Sequence, residues 1–148
     1  MTEATLATPD RELLDALGDA MKTHRRVEVP VTHLQTPGLY CREVSIMKGT
    51  MILSARHLTE HPFVISKGKI LVITEGGERE ILTAPYTGVT KPGTRRAVHA
   101  LEDTVWATFH PTDETDIEAI CLNLVETEPD TALMQWAESL PKIESCPL

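Results

Sequence analysis

The feature that most limits what this chain can fold into is the spacing of its turn signals after Val27. Pro37–Gly38, Lys48–Gly49, Gly76–Gly77, Pro85, Pro92–Gly93 and Glu102–Asp103 recur at intervals of roughly 8–12 residues. Between them lie short runs rich in Val, Ile, Thr and aromatics: VEVPV, LYCREVSIM, MILSARHL, HPFVISKGKILVITEG, REILTA, GVTKPG, RRAVHAL, TVWATFH and IEAICLNLV. Parallel strands need a long crossover between them, and no gap here is long enough to hold a helix. The pattern therefore predicts an antiparallel sandwich or barrel whose edges are closed or covered. Gly76–Gly77 suits a tight hairpin, because its turn requires positive φ.

The flanks read differently. Residues 1–26 are expected to form a polar tail and a helical arm, the helix capped by Asp10 and carrying Leu13, Leu14, Leu17, Ala20 and Met21 as an apolar stripe. Gly18 weakens that helix by about 1 kcal/mol relative to Ala. Residues 27–126 form the β domain. Residues 127–148 are expected to hold a second helix, begun by Pro129, lined by Ala132, Leu133, Trp136, Ala137 and Leu140, and stopped by Pro141. The 148 residues make one domain with arms.

Charge narrows the partners. Against 14 Lys and Arg stand 22 Asp and Glu, a net −8, which argues against nucleic acid or an anionic membrane as the main partner. No apolar run approaches the ~20 residues a spanning helix needs, and the acidic N-terminus is unlike a secretory signal. Cys41, Cys121 and Cys146 lack C-x-x-C spacing, so reduced thiols and a cytoplasmic location are expected. There is no P-loop, dinucleotide fingerprint, zinc-finger spacing or nucleophile elbow.

The segment RHLTEHPFVISKG holds the first candidate chemistry. His57 and His61 are four apart, which on an extended chain puts both imidazoles on one face. They are either half of a metal site or two hydrogen-bonded loop histidines. Glu60 beside them could hold an imidazole N–H, act as a general base or face solvent. In TVWATFHP, alternation groups Trp106, Thr108 and His110 on one face.

These segments resemble the two motifs of the cupin superfamily. With Gly68 as the closing glycine of the first motif, His57 takes the place of its second histidine, His61 that of its glutamate, and Ala55 that of its first histidine. In GVTKPGTRRAVHAL, Gly93 matches the glycine of the second motif, and Arg96 stands where that motif has its histidine. The combination of HLTEH, PGTRR and EDTVWATFHPTDETDIE is similar to that of small RmlC-like cupins of a bacterial and phage subfamily, over about residues 39–125.

The resemblance implies an all-β fold: a cupin-like double-stranded β-helix, or jelly-roll barrel, with short N- and C-terminal helices, paired as a homodimer. It implies a metal centre of His57, His61 and His110, with His99 as the alternative to His110, binding Fe, Zn, Mn or Ni, with iron favoured. Glu60 and Arg96 are the candidate catalytic residues, Arg96 as the anchor of an anionic group. The expected activity is that of a metal-dependent enzyme acting on a small polar or anionic molecule, with dioxygenase chemistry favoured. The alternative is a non-catalytic small-molecule-binding or adaptor cupin.

Overall fold

The structure is a computed structural model and describes residues 3–125. Nine strands follow an N-terminal helix. They are β1 (Val31–Thr36), β2 (Leu39–Ile46), β3 (Met51–Leu53), β4 (His61–Lys67), β5 (Lys69–Thr74), β6 (Arg79–Thr83), β7 (Tyr86–Thr90), β8 (Arg96–Ala100) and β9 (Thr104–Pro111). Helix α1 (Glu3–Met21) precedes them and helix α2 (Ile117–Leu124) follows. Among the described residues no helix is long and apolar enough to cross a membrane.

All strand pairs are antiparallel and make two sheets, one ordered β1-β2-β9-β4-β7 and the other β3-β8-β5-β6. The expected closed jelly-roll barrel is therefore corrected. The sheets face each other but are not joined by a continuous hydrogen-bond ladder, so four edge strands remain. What joins the layers is side-chain packing. Val44 and Ile46 of β2, Phe63 and Ile65 of β4, and Trp106 of β9 meet Ile70 and Val72 of β5, Leu82 of β6 and Ala100 of β8 in one core. Alternation along β2 puts Tyr40, Arg42, Val44 and Ile46 inside, as period-two patterning requires.

The chain passes from one sheet to the other at Gly68, between β4 and β5. Its φ is +93°, and a Cβ there would lie 2.7 Å from Thr104 Cα and closer still to the Asp103 carbonyl oxygen. Only glycine fits such a position without moving backbone.

Helix α1 covers the β3 edge, where exposed backbone groups would otherwise invite pairing. Leu14 is fully buried, and Gly18 packs so closely that a Cβ would sit 2.9 Å from Leu53 Cδ2. Arg95 Nη1 donates to Asp15 Oδ1 at 2.8 Å and ties the helix to the sheet. The glycine that lowers helix propensity is thus the one that permits close docking. The helix begins at Glu3 rather than at Asp10, so the polar segment expected as a tail is helical in its backbone.

The run IEAICLNLV, expected as a strand, is helix α2 up to Leu124. Asp116 caps it by accepting from the Ala119 N–H, and Glu118 in the first turn suits the positive end of the helix dipole. Cys41 is a free, half-buried thiol, but Cys121 on α2 is disulfide-bonded, against the expectation of reduced thiols. The helix expected from Pro129 to Leu140, and Cys146, lie outside the described residues.

Candidate functional site

A cavity of about 60 Å³ lies between the sheets. By the same measure a single water needs about 10–15 Å³, so there is room for roughly four to six waters, or a molecule with a similar number of heavy atoms. Val44, Ile46, Ile52, Val98, Trp106, Leu124 and Val125 form an apolar wall. The polar groups are Arg42, Ser54, His57, His61, Thr90, Arg96, Thr108 and His110. Among the described residues no carboxylate lines it.

The three histidines expected from the sequence come together here. The His57 and His61 ring centroids are 5.0 Å apart, and those of His61 and His110 are 4.3 Å apart. Strand alternation is not what pairs the first two. His61 opens β4, whereas His57 lies in the irregular segment after β3. His57 is held by its backbone: its N–H donates to the Thr94 carbonyl, its carbonyl accepts from the Gly93 N–H, and it forms an isolated bridge with Val125. The C-terminal end of α2 therefore fixes one histidine and closes one side of the cavity. His110 stands opposite Tyr40 across the β2–β9 ladder. Its ring stacks on Tyr40 at 5.9 Å, and Tyr40 in turn hydrogen-bonds His33 Nδ1 through its hydroxyl at 2.6 Å.

Each imidazole keeps one buried nitrogen without a hydrogen-bond partner: His57 Nδ1, His61 Nε2 and His110 Nδ1. The other nitrogen of His61 hydrogen-bonds the Thr59 carbonyl at 2.9 Å, and that of His110 the Thr108 hydroxyl at 2.9 Å. Burial, followed by the charges of neighbouring groups, pushes His57 and His110 down to about 3. Burial also lowers His61, with the Thr59 carbonyl pulling the other way and Arg96 adding to the fall. All three rings are neutral near pH 7.

Two guanidiniums face these rings. Arg42 on β2 is buried, and burial lowers it to about 10, so it stays charged at pH 7. Sequence reasoning missed it, although an arginine in phase with Tyr40, Val44 and Ile46 was the available signal. Arg96 on β8 donates from Nη1 to Thr90 Oγ1 at 2.8 Å and lies 5.3 Å above the Phe63 ring. Phe63 is itself stacked on Trp106 at 4.7 Å. Gly88 leaves room for that ring, since a Cβ would meet Phe63 Cζ at 2.6 Å. Arg96 is thus oriented by a hydroxyl and an aromatic face.

The remaining candidates fall outside. Glu60 is exposed and pairs with Lys91 Nζ at 2.7 Å, and it contributes nothing to the cavity wall. On β8 the cavity is lined by Arg96 and Val98, so His99 belongs to the opposite face by alternation.

The expected transition-metal centre of His57, His61 and His110, with or without His99, is not borne out. Among the described residues no group of three or more His, Cys, Asp or Glu side chains is disposed to hold a metal ion. The physical setting agrees. A divalent cation would enter beside the Arg96 guanidinium, and among the described residues no carboxylate lines the wall to offset its charge. Iron, zinc, manganese and nickel are all corrected on this ground, and with them the metal-dependent enzyme and its dioxygenase form. The wall chemistry suits an anion instead.

No protein-family model matches the sequence, and no curated protein matches it. Solved structures do resemble the fold. A cupin superfamily protein from Desulfitobacterium hafniense superposes with a TM-score of 0.51 at 12% identity, over 61% of this chain and 83% of that one. Ectoine synthase from P. lautus gives 0.50 at 16%, over 60% and 67%. A salicylate 1,2-dioxygenase from Pseudaminobacter salicylatoxidans gives 0.54 at 14%, over 74% of this chain but 33% of that one. At these identities the likeness shows the fold alone, and that fold is the cupin fold.

Proposed function

We propose that this chain is a cupin-fold binding module for a small organic anion, held in the cavity between the two sheets. The observation that carries the reading is one wall. The Arg96 guanidinium and three neutral imidazoles face the cavity, and among the described residues no carboxylate lines it. The half-buried Arg96 guanidinium bonds a hydroxyl, Thr90 Oγ1, at the cavity, and an incoming carboxylate gives it a charge-assisted partner there. The apolar side, from Val44 to Val125, accepts a short hydrocarbon body. In this reading Arg96 is the anchor, and His57, His61 and His110 contact the ligand rather than a metal. The segments HLTEH, PGTRR and EDTVWATFHPTDETDIE that carry these residues group the chain with small RmlC-like cupins.

Isothermal titration of butanoate against butanamide tests it. The two have the same number of heavy atoms and differ in charge. Binding of the acid, with the amide at least about tenfold weaker, is expected for a charge-assisted contact. Equal binding of acid and amide, or of neither, points to an adaptor whose cavity is only a packing defect.

A further inference from the structure

The tautomer of His61 specifies more than charge. Its Nδ1 lies 2.9 Å from the Thr59 carbonyl oxygen. A carbonyl can only accept, so Nδ1 carries the proton. In the neutral ring Nε2 is then an obligate acceptor. It is buried, belongs to a side chain only 2% exposed, and has no protein partner. The neighbouring groups cannot supply a donor from where they stand, since the unpartnered nitrogens of His57 and His110 are not bonded to it.

Arg96 is close by for a structural reason. His61 and Thr90 are direct partners across the β4–β7 ladder, and Thr90 Oγ1 is the atom that accepts from Arg96 Nη1. One side of the cavity therefore presents N–H donors from a cation, and beside them sits a lone pair that needs an O–H or N–H. A simple carboxylate satisfies the first and leaves the second empty, at the cost of a buried unpaired acceptor.

We infer that the ligand is a small hydroxycarboxylate, whose carboxylate meets Arg96 and whose hydroxyl donates to His61 Nε2. This rests on the anion-binding reading above and deepens it. The apolar wall limits the rest of the molecule to a short alkyl or ring body. A hydroxyl donor is also what a site with a buried acceptor discriminates most strongly, because the analogue lacking it strands that acceptor.

The test is isothermal titration of the full chain with 2-hydroxypropanoate (both enantiomers), butanoate and methoxyacetate, acids of equal heavy-atom count that the cavity has room for, at one salt concentration and pH 7. The methyl ether keeps the oxygen but cannot donate. One enantiomer of the hydroxy acid is expected to bind at least about tenfold tighter than either analogue. In His61→Phe the ratio between the hydroxy acid and its two analogues is expected to collapse to within about threefold. A measurement on the unmodified chain guards against a folding defect in the variant. The 15N resonance of His61 Nε2 should move away from the lone-pair position on adding the hydroxy acid and stay there with the ether. If all three acids bind within about threefold, the hydroxycarboxylate inference is overturned and the anion reading stands. If no acid binds, both are overturned.

Discussion

Arg95 and Arg96 are neighbours in sequence and face opposite sides of the same sheet. Arg95 reaches outward to Asp15 of α1 at 2.8 Å, with Glu75 at 3.8 Å. Arg96 reaches inward, bonds Thr90 and lines the cavity. Arg96 opens β8 and Arg95 immediately precedes it, and successive side chains of extended chain point to opposite sides, which separates stability from binding in two adjacent positions. Arg96→Gln is expected to weaken binding of a small carboxylate by about tenfold or more, the size of a lost charge-assisted contact. Arg95→Gln is expected to leave that affinity unchanged and to cost about 1 kcal/mol by loosening the helix. Paired calorimetric titration and thermal unfolding of both variants check this.

Gly68 is the position where the backbone has least freedom to accept a side chain. Gly68→Ala combines a φ of +93° with a Cβ driven into the Asp103–Thr104 backbone. Destabilisation of at least about 2 kcal/mol is expected, above the ordinary left-handed penalty. Urea unfolding at equilibrium measures it. An unchanged midpoint would mean that the crossing between the sheets is not as described.

Acid should destabilise the fold through the buried imidazoles. His57 and His110 titrate near 3 in the folded chain, from burial first and then from their neighbours, and at about 6.5 unfolded. The unfolded chain therefore binds more protons between those limits. The stability contributed by the neutral rings is complete above about pH 6.5 and is lost as pH falls toward 3. His61 shifts in the same direction. The charged groups facing the rings, Arg42 and Arg96, keep their charge throughout and so oppose protonation. The melting temperature is expected to fall between pH 7 and pH 4, and His110→Phe is expected to flatten that slope.

Chelation should change nothing. Because the described wall offers a metal the Arg96 cation and no carboxylate, dialysis against EDTA is expected to leave the melting temperature and carboxylate affinity unaltered. Elemental analysis of the purified chain is expected to give well under one equivalent of any first-row metal. Stoichiometric metal that is lost together with binding would contradict this.

Much of the β layer is legible in the sequence because burial there follows period two. Trp106, Thr108 and His110 were grouped by alternation and all three line the cavity. The convergence of His57, His61 and His110 was expected, but for a reason that does not hold: His57 is placed by its backbone contacts with Gly93, Thr94 and Val125, which no local pattern encodes. Helix α2 was misread because IEAICLNLV is rich in residues that suit either element. Ile117, Ile120, Cys121 and Leu124 stand at helical spacing behind the Asp116 cap, and that period was the deciding signal. Barrel closure was not legible, because whether edge strands meet depends on how two sheets pack rather than on any one strand. The metal expectation failed for an electrostatic reason. It rested on the histidines, and the described cavity wall adds guanidinium groups but no carboxylate beside them.

The most direct measurement is a crystal structure of the chain grown with excess butanoate. The expected density places the carboxylate within hydrogen-bond distance of the Arg96 guanidinium and the alkyl chain against Val98 and Trp106, with the three imidazoles around it. Arg96 turned away from an empty cavity, or a metal ion bound at the imidazole nitrogens in place of the acid, would contradict the anion-binding site.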